Sequence, residues 1–468
     1  MNSVRTEPTE ARVIAGNEHQ RRLNGWGRST PALSRVYTPE NSGELRRTLR
    51  DGPRHIGVRG AGRSYGDAAT GTTMIDMGRH RRILSFDKEE GVIVAQAGTT
   101  LTALNRFTVP AGWLLPTQPG SAHITLGGAA ASDVHGKNHT TSGSFGQHLL
   151  WLKLMVSSGD VLHLSPLHDD EAFWATVGGM GLTGIITTIA LQLERIDSAY
   201  LDVTRTRTTS LEETIATISN ARSRTAPLGM HAVAWLDTTS HAFRGIVDTS
   251  TFLEASALPR AVNGNALEMP FVTAPIRIPS LPGPGLINPA TISTANAARW
   301  RATPAHRTRT KHFLKVLNPL DTADSWPATF GHRGLNQYQF CVPHGATHIL
   351  HLTLQELRRR GLPPALAVLK PLGTAGRGML SFPLPGWTLA LDFPARWPEL
   401  APTLNALDDV IAGAGGRIYL TKDSRLDPDQ LERMYPRLEE WRMARSRLDP
   451  DQRMHTHLAT RLGLRTEQ

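Results

Sequence analysis

Three glycine-rich stretches in the first 196 residues constrain the fold more than any other feature of this 468-residue chain. They read VRGAGRSYGD at 58–67, PTQPGSAHITLGGAAASDVHGKNH at 116–139 and GGMGLTGIITTIALQLERI at 178–196. Glycines in the first stretch let backbone N–H groups crowd around an anion, and Arg59 and Arg63 add positive charge, which suits a pyrophosphate. Small residues in the second stretch let a flat ring approach the backbone closely. Three such stretches in this order indicate a binding site far more strongly than any one of them.

The first stretch lacks the continuation that a Rossmann nucleotide-binding motif requires. That motif needs GxGxxG to open a helix in a βαβ unit, with an acidic residue about 20 positions further on. Here GAGRSYG runs into GDAATGTT, which predicts no helix. From Arg54 to about Ile196, short apolar strands such as GVIVAQAG alternate with glycine-rich turns. This pattern predicts a mixed α+β domain.

Charge and cysteine content exclude several classes of site. The formal net charge is +10, which favours anionic partners such as phosphates or an acidic lipid surface. Zinc-finger spacing, a basic helix with heptads and an aromatic-basic RNA motif are all missing, so we do not expect nucleic acid. A lone Cys341 excludes an intrachain disulfide and a CxxC site, and the scattered histidines have no ligand spacing, so we expect no metal.

The N-terminal sequence does not resemble an export signal. It lacks an apolar segment, and Arg21-Arg22 is followed by polar residues. The chain also has no run of 18 apolar residues. We therefore expect no signal peptide and no spanning helix, and any membrane contact would be peripheral.

The sequence changes character after about Asp197. LEETIATISNARS predicts an amphipathic helix, and HAVAWLD and HAFRGIV predict strands. Residues 255–319 are proline-rich and predict a mobile cover, with order returning at GLNQYQFCVP. Six basic residues crowd the second half of this segment, which suits either a loop near phosphates or a solvated basic loop. They are Arg299, Arg301, Arg307, Arg309, Lys311 and Lys315.

The phrase RLDPDQ occurs twice near the C-terminus, at 425–430 and 447–452. Each copy puts Asp at a good N-cap position with Pro directly after it, where a missing N–H costs nothing. Both copies therefore predict the start of a helix.

The glycine-rich stretches, together with RIYLTKDSR near the C-terminus, resemble the vanillyl-alcohol-oxidase type of FAD-binding family over nearly the whole chain. The resemblance implies an α+β fold with a two-lobed FAD-binding domain and a substrate domain built on an antiparallel sheet with flanking helices. It places the FAD domain at 1–198 and the substrate domain at 199–415. Residues 416–468 would return to the FAD domain.

Four further motifs, HGKNH, QYQF, LSFPLPGW and KDSR, resemble one branch of that family in particular. Its members oxidise the 2′-hydroxyl of a decaprenylphosphoryl-linked ribose, the first half of an epimerisation that serves arabinan synthesis in actinobacterial cell walls. This branch implies an NADH-dependent reductase partner. It also implies a peripheral position at the plasma membrane, on a face that the sequence does not identify. The decaprenyl chain of the substrate would stay in the bilayer, because each buried methylene adds about 0.8 kcal/mol to membrane partitioning.

The resemblance also implies a set of site residues. Around FAD it places Val58, Arg59, Gly60, Ala61, Gly62, Arg63, Ser64, Tyr65, Gly66, Asp67, Ala68, Gly120, Thr125, Leu126, Gly127, Gly128, Ser132, Asp133, Val134, His135, Gly184, Ile186 and Tyr419. Around the substrate it places Lys137, Trp235, Gln337, Gln339, Lys370, Ala390 and Asp392.

Oxidation of an alcohol by a flavin leaves a hydroxyl proton for a base to accept. The candidates are Lys422, Tyr65 and His135. A lysine could act as the base if burial lowers its pKa, or it could stay cationic and stabilise the reduced flavin. Both roles remain open at this stage, and Asp392 could either orient a site lysine or cap a turn.

Three positions depart from the family pattern. The first glycine loop lacks the histidine that often attaches FAD covalently in this family, so we expect non-covalent FAD. Ala390 stands where relatives carry a cysteine that nitroaromatic inhibitors attack, so catalysis should survive and thiol trapping should not. Leu317 stands where relatives have an aromatic residue.

Trp235 could be a pocket wall or core, and Trp387 is expected in the core.

Two other functions fit the same fold. One is a soluble alditol or aldonolactone oxidase that reoxidises its flavin with oxygen. The other is a flavin-binding scaffold without turnover, which would not need HGKNH and KDSR together.

Overall fold

Residues 18–196 build a four-stranded sheet, a five-stranded sheet and a two-stranded pair in the computed structural model, which describes residues 18–223, 230–260, 262, 265–270, 285–323 and 325–464. The strands are β1 (Glu18–Leu23), β2 (Ala32–Tyr37), β3 (Gly57–Arg59), β4 (Thr73–Asp76), β5 (Ile83–Asp87), β6 (Val92–Gln96), β7 (Trp113–Leu114), β8 (Leu149–Met155), β9 (Val161–Leu164), β10 (Ile185–Gln192) and β11 (Glu194–Arg195). The helices are α1 (Ser42–Asp51), α2 (Leu101–Thr108), α3 (Leu126–Ala131), α4 (His139–Ser142) and α5 (Asp170–Thr176).

One sheet has the order β1-β2-β4-β3, and the other has the order β5-β6-β10-β8-β9. Both β2 and β3 pair with β4 in parallel, and α1 makes the crossover between β2 and β3 that parallel strands require. The first glycine stretch leaves the sheet where β3 ends at Arg59. The second sheet is antiparallel throughout. The expected α+β architecture is confirmed.

The second half of the chain forms an eight-stranded antiparallel sheet with flanking helices. Its strands are β12 (Tyr200–Thr208), β13 (His231–Leu236), β14 (Gly245–Phe252), β15 (His306–His312), β16 (Leu335–Pro343), β17 (Leu366–Leu372), β18 (Gly386–Pro394) and β19 (Arg417–Ile418). They lie in the order β15-β12-β14-β13-β17-β18-β16-β19. The helices are α6 (Leu211–Ser223), α7 (Pro289–Ala302), α8 (Phe313–Leu317), α9 (His348–Arg359), α10 (Leu400–Gly413), α11 (Pro428–Met434), α12 (Leu438–Leu448) and α13 (His457–Arg461).

Alternate residues of this sheet serve two different environments, as the two-residue period of a strand requires. On one face, Ala367, Leu369 and Leu391 pack into the large apolar core together with residues of α9 and α10. On the other face, Val368 and Lys370 line a cavity. The sheet therefore has an apolar back and a mixed, partly charged front.

The proline-rich segment is more regular than its composition predicts. The expectation that order returns only near residue 335 is wrong, because α7, β15 and α8 occupy most of residues 289–317. A capping box starts α7, with the Asn288 side chain accepting from the N–H of Thr291. Strand β15 pairs with β12 along its whole length. Residues 271–284 lie outside the described residues.

Local predictions in the second half have mixed outcomes. The helix at 211–223 and the strand from HAVAWLD are confirmed, whereas the next strand begins at Gly245 and not at His241. The first RLDPDQ copy starts α11, with Asp427 accepting from the N–H of Gln430. The second prediction is wrong, because Asp449 follows the end of α12. Its carboxylate accepts from the N–H groups of the next turn, a role that Asp also suits.

The C-terminal segment contacts both halves of the molecule. Strand β19 pairs with β16 of the large sheet, while Met454 forms a parallel bridge to Ile56 beside β3. Arg461 binds both carboxylate oxygens of Asp67 at 2.8 Å and one oxygen of Asp423 at 2.8 Å. The predicted domain boundary at 198/199 falls directly before β12, and β19 lies within the predicted C-terminal segment.

Among the residues described, no helix has both the length and the apolar character that crossing a bilayer demands.

Replacing Arg461 with Met should lower the free energy of unfolding by about 3 kcal/mol, because two buried carboxylates lose their cation. Urea unfolding followed by tryptophan fluorescence would measure this loss. The matched control is Arg447→Gln, which breaks the exposed Arg447–Glu171 pair and should cost less than about 1 kcal/mol. Equal losses in the two variants would contradict the role of Arg461.

Candidate active site

A cavity of about 520 Å³ lies between the front face of the eight-stranded sheet and the glycine-rich stretches. Its size is within the range of small-molecule and cofactor sites. The first half of the chain supplies a lining of small residues, including eight glycines, and the second half supplies polar and basic side chains. The cavity is therefore divided between a floor suited to close backbone contact and a wall suited to chemistry.

The first glycine stretch reaches the cavity through its loop after β3. Gly62 has φ of +65°, and a Cβ there would overlap the guanidinium of Arg59. That guanidinium donates to the carbonyl oxygens of Asn24 and Ala69 at 2.9 and 2.7 Å. Arg59 therefore supports the loop from behind, and Arg63 is the basic residue of this stretch that lines the cavity.

Helix α3 forms part of the floor with one face only. Leu126 and Ala130 are fully buried in the core behind the helix, while Gly127, Gly128 and Ala131 line the cavity. A Cβ on Gly127 would lie 2.8 Å from the Cβ of Ala97. The small residues of this helix therefore do two things: they line the cavity, and they let the helix pack against Ala97, just beyond β6.

His135 lies at the polar end of the floor and is 6% exposed. The amide nitrogen of Gln339 is 3.2 Å from His135 Nε2 and 3.2 Å from the Thr388 hydroxyl. Since an amide N–H only donates, Nε2 accepts and the ring proton is on Nδ1. Burial, together with the charge of Lys370, lowers the pKa of His135 well below its usual value. The imidazole is therefore neutral at physiological pH.

Three of the five lysines that line the cavity, Lys137, Lys370 and Lys422, are surrounded by protein. Loss of hydration lowers the pKa of Lys422 to about 7, of Lys137 to about 7 and of Lys370 to about 8. The ammonium nitrogen of Lys422 is 3.8 Å from the ring centroid of Tyr65. Lys137 donates to the carbonyl oxygen of Val316. Each of these amines can exchange a proton near neutral pH.

Tyr65 and Asp392 both influence Lys422, one as a neutral phenol beside the amine and the other through its charge. Burial raises the pKa of Tyr65 well above its usual value, so the phenol stays protonated. Asp392 is 1% exposed in the middle of β18 and accepts from Gln337 at 2.6 Å and from Trp326 at 2.9 Å. Its charge acts against the burial of Lys422 and raises the pKa of that lysine. Asp392 therefore does not cap a turn; it positions Gln337 and acts electrostatically on Lys422.

Most of the predicted site residues meet at this one cavity. Those that line it are Val58, Gly60, Ala61, Gly62, Arg63, Ser64, Tyr65, Ala68, Gly120, Thr125, Gly127, Gly128, Ser132, Val134, His135, Lys137, Gly184, Ile186, Trp235, Gln337, Gln339, Lys370, Ala390, Tyr419 and Lys422. Six predicted residues do not line it, namely Arg59, Gly66, Asp67, Leu126, Asp133 and Asp392.

These six residues lie behind the cavity lining, and their contacts with the cofactor or substrate stay predictions. A Cβ on Gly66 would overlap the carbonyl oxygen of Asp423, so the absent side chain allows a backbone contact. Asp67 is held by Arg461, and Leu126 is in the core. Asp133 accepts from the hydroxyls of Ser381 and Ser144 and from the N–H of Gly146.

The residues that depart from the family pattern lie in different places. Ala390 faces the cavity, where it offers no thiol. Leu317 is 1% exposed within an apolar cluster, and its neighbour Val316 lines the wall instead. Trp235 lines the cavity, whereas Trp387 packs in the core as expected.

Several cavity residues on β12, β13 and β14 were missed at the level of sequence. Val203 and Arg205 of β12, and Ile246, Asp248 and Ser250 of β14, line the cavity at every second position. The alternation in YLDVTRTRT is a signal that could have identified them. A face that contacts a cavity carries both apolar and charged residues, so it does not resemble a core face.

Comparison with known proteins agrees with this geometry. A family model described as FAD binding domain matches residues 33–165. The chain is 34% identical to "Decaprenylphosphoryl-beta-D-ribose oxidase" of Mycolicibacterium smegmatis, over 95% of this chain and 98% of that protein. It is also 34% identical to an uncharacterised Streptomyces coelicolor protein, over 78% of this chain and 100% of that protein. Mouse L-gulonolactone oxidase is 33% identical over only 33% of this chain and 36% of its own length.

The residues present fit FAD. The loop with Gly62 and Arg63 suits the pyrophosphate, and the floor at Gly127 and Gly128 admits a planar ring. FAD is the cofactor of this chain.

Gly127→Ala should reduce the FAD content of the purified protein, because the added methyl forces α3 away from Ala97 and disturbs the floor. The strain should cost about 1–3 kcal/mol. Visible flavin absorption per mole of protein measures the effect. The control is Gly345→Ala, where a Cβ meets no atom within 4 Å, and which should keep its FAD. Full FAD content in both variants would contradict the role of this close contact.

Proposed function

The chain belongs to the decaprenylphosphoryl-β-D-ribose oxidase family of FAD-dependent oxidoreductases, and from this premise we propose that it oxidises the 2′-hydroxyl of decaprenylphosphoryl-β-D-ribose. The product is the 2′-ketone, and the reaction is the first half of an epimerisation to decaprenylphosphoryl-arabinose for cell-wall arabinan. One observation carries the proposal: a single cavity joins the glycine-rich floor to His135, Gln339 and Lys422.

Lys422 is the proposed base. FAD, when bound, supplies the acceptor for the hydride that leaves C2′. As the C2′–H bond breaks and the C=O bond forms, the neutral amine of Lys422 accepts the hydroxyl proton. Tyr65 is protonated near neutral pH and has no capacity to accept it. His135 is too weak a base, so we assign His135 and the Gln339 amide to orientation of the sugar.

The two alternative functions have less support. Similarity to L-gulonolactone oxidase covers a third of the chain, whereas similarity to the lipid-linked ribose oxidase covers nearly all of it. A scaffold without turnover would not need Lys422, Lys370 and Lys137 enclosed in one cavity, because loss of hydration disfavours their charged form.

The proposal includes a partner and a location. Completing the epimerisation requires reduction of the 2′-ketone, which we assign to a separate NADH-dependent reductase. A peripheral position at the plasma membrane follows from the substrate, because a decaprenyl chain stays in the bilayer. The net charge of +10 supports contact with an acidic lipid surface.

FAD is proposed to be non-covalent. The first glycine loop has no histidine, and Cys341 is fully buried and does not line the cavity.

Farnesylphosphoryl-β-D-ribose, a short-chain substrate, should bleach the flavin absorption of the oxidised holoenzyme under anaerobic conditions. D-Arabinitol and L-gulono-1,4-lactone should leave it unchanged, because neither carries the phosphodiester and prenyl group. The 2-deoxyribose analogue is the matched control, since it has no 2′-hydroxyl to oxidise. Faster bleaching by the alditol or the lactone would replace our proposal with the soluble oxidase, and a lack of bleaching by all three would favour the scaffold.

Lys422→Ala and Lys422→Arg should each slow flavin reduction by about 100-fold or more, the usual contribution of a general base. Arginine keeps the charge but cannot lose its proton, so it separates the base from a purely electrostatic role. In the wild type, reduction should accelerate about tenfold per pH unit below pH 7 and level off above it, because the neutral amine accumulates as pH rises through its pKa of about 7. Stopped-flow absorbance measures the rates. Recovery by arginine, or a rate that falls with pH, would make Lys422 a cationic stabiliser and not the base.

A further inference from the structure

One end of the cavity is strongly basic. Arg205 of β12, Arg299 of α7, Lys311 of β15 and Lys315 of α8 all line it there. Arg299 and Lys315 are exposed to solvent, while Arg205 and Lys311 are half-buried. This end is therefore the mouth of the cavity, where β12 and three consecutive elements, α7, β15 and α8, bring their cations together.

The charges at the mouth are not balanced by protein. Among the residues that line the cavity, Asp248 is the one carboxylate against eight lysines and arginines. Asp248 is already paired with Arg205 through two hydrogen bonds of 2.7 and 2.6 Å. Within the part of the chain that the structure describes, Arg299, Lys311 and Lys315 have no ion-pair partner.

These cations are held in place, which distinguishes them from a solvated basic surface. The guanidinium of Arg299 lies 4.6 Å above the ring of Trp235, itself a cavity residue. Burial and the neighbouring charge of Arg205 lower the pKa of Lys311. In contrast, Arg307 and Arg309 of the same strand are exposed and do not line the cavity.

We propose that Arg299, Lys311 and Lys315 form a binding site for the phosphodiester of the substrate, at the mouth of the cavity. This inference rests on the proposed function and adds a binding site for the phosphodiester of the substrate, which the proposed function leaves unassigned. Lys137, near both Lys311 and Lys370, marks the way from the mouth to the catalytic end, so the ribose occupies the interior and the prenyl chain leaves through the mouth. A guanidinium fixed over an indole and two ammonium groups suit a phosphate oxygen pair.

The test measures binding without turnover. Oxidised holoenzyme is titrated with farnesylphosphoryl-2-deoxy-β-D-ribose, which cannot be oxidised at C2′, and with its neutral counterpart that lacks the phosphate. Arg299→Gln and Lys311→Gln should each weaken binding of the phosphodiester by about tenfold, and leave binding of the neutral compound unchanged. Arg301→Gln is the matched control, since Arg301 is an exposed residue of α7 that does not line the cavity.

A membrane headgroup is the competing source of the same phosphate chemistry. Sedimentation of each variant with vesicles of phosphatidylglycerol separates the two sources. Wild-type affinity for the phosphodiester combined with lost vesicle binding would overturn our proposal in favour of a lipid-surface contact. Equal weakening for the neutral compound would overturn it as well, because the effect would then be structural.

Failure of this site and failure of the proposed function give different results. If the wild type binds the phosphodiester and the variants lose affinity, the site is supported even when farnesylphosphoryl-ribose fails to bleach the flavin. If the flavin is bleached but the variants bind normally, the oxidation is supported and the phosphate site is wrong. Flavin content of each variant confirms that it has folded.

Discussion

Direct backbone contact between the first glycine stretch and the C-terminal segment is the constraint on which the rest of the site depends. The N–H of Tyr65 donates to the carbonyl of Thr421 at 3.0 Å, and Gly66 has no room for a Cβ beside Asp423. The two segments are about 350 residues apart in sequence, yet their side chains meet here, with the Lys422 amine over the ring of Tyr65. The contact places the proposed base, Lys422, beside the loop that is predicted to hold the cofactor.

The two faces of the eight-stranded sheet have different roles: one packs into the core, and the other lines the cavity. The apolar face packs on α9 and α10, which supplies the burial that stabilises the fold. The cavity face can therefore carry groups that destabilise a protein, such as Lys370 and Asp392. Asp392 is tolerated because Gln337 and Trp326 donate to it.

Sequence alone predicts the residues whose function depends on local backbone geometry. The glycine stretches and HGKNH are contiguous, so their roles follow from a few neighbouring positions, and most residues of the first two stretches line the cavity. It does not predict residues whose role depends on distant partners. Asp133 binds Ser381, 248 positions away, and so lies behind the lining. Arg205 and Asp248 reach the cavity only because β12 and β14 pair in one register.

Electrostatics divides the cavity into two regions with different tasks. At the mouth, the basic side chains are half-buried or exposed, and their charge attracts an anion. In the interior, loss of hydration brings the pKa of Lys422 to about 7, where a lysine can accept a proton. A phosphodiester at the mouth favours the charged form of the lysines nearest to it, and its influence declines with distance. The bound substrate would therefore keep Lys311 cationic while it disturbs Lys422 much less, so that one molecule can be held by charge at one end and deprotonated at the other.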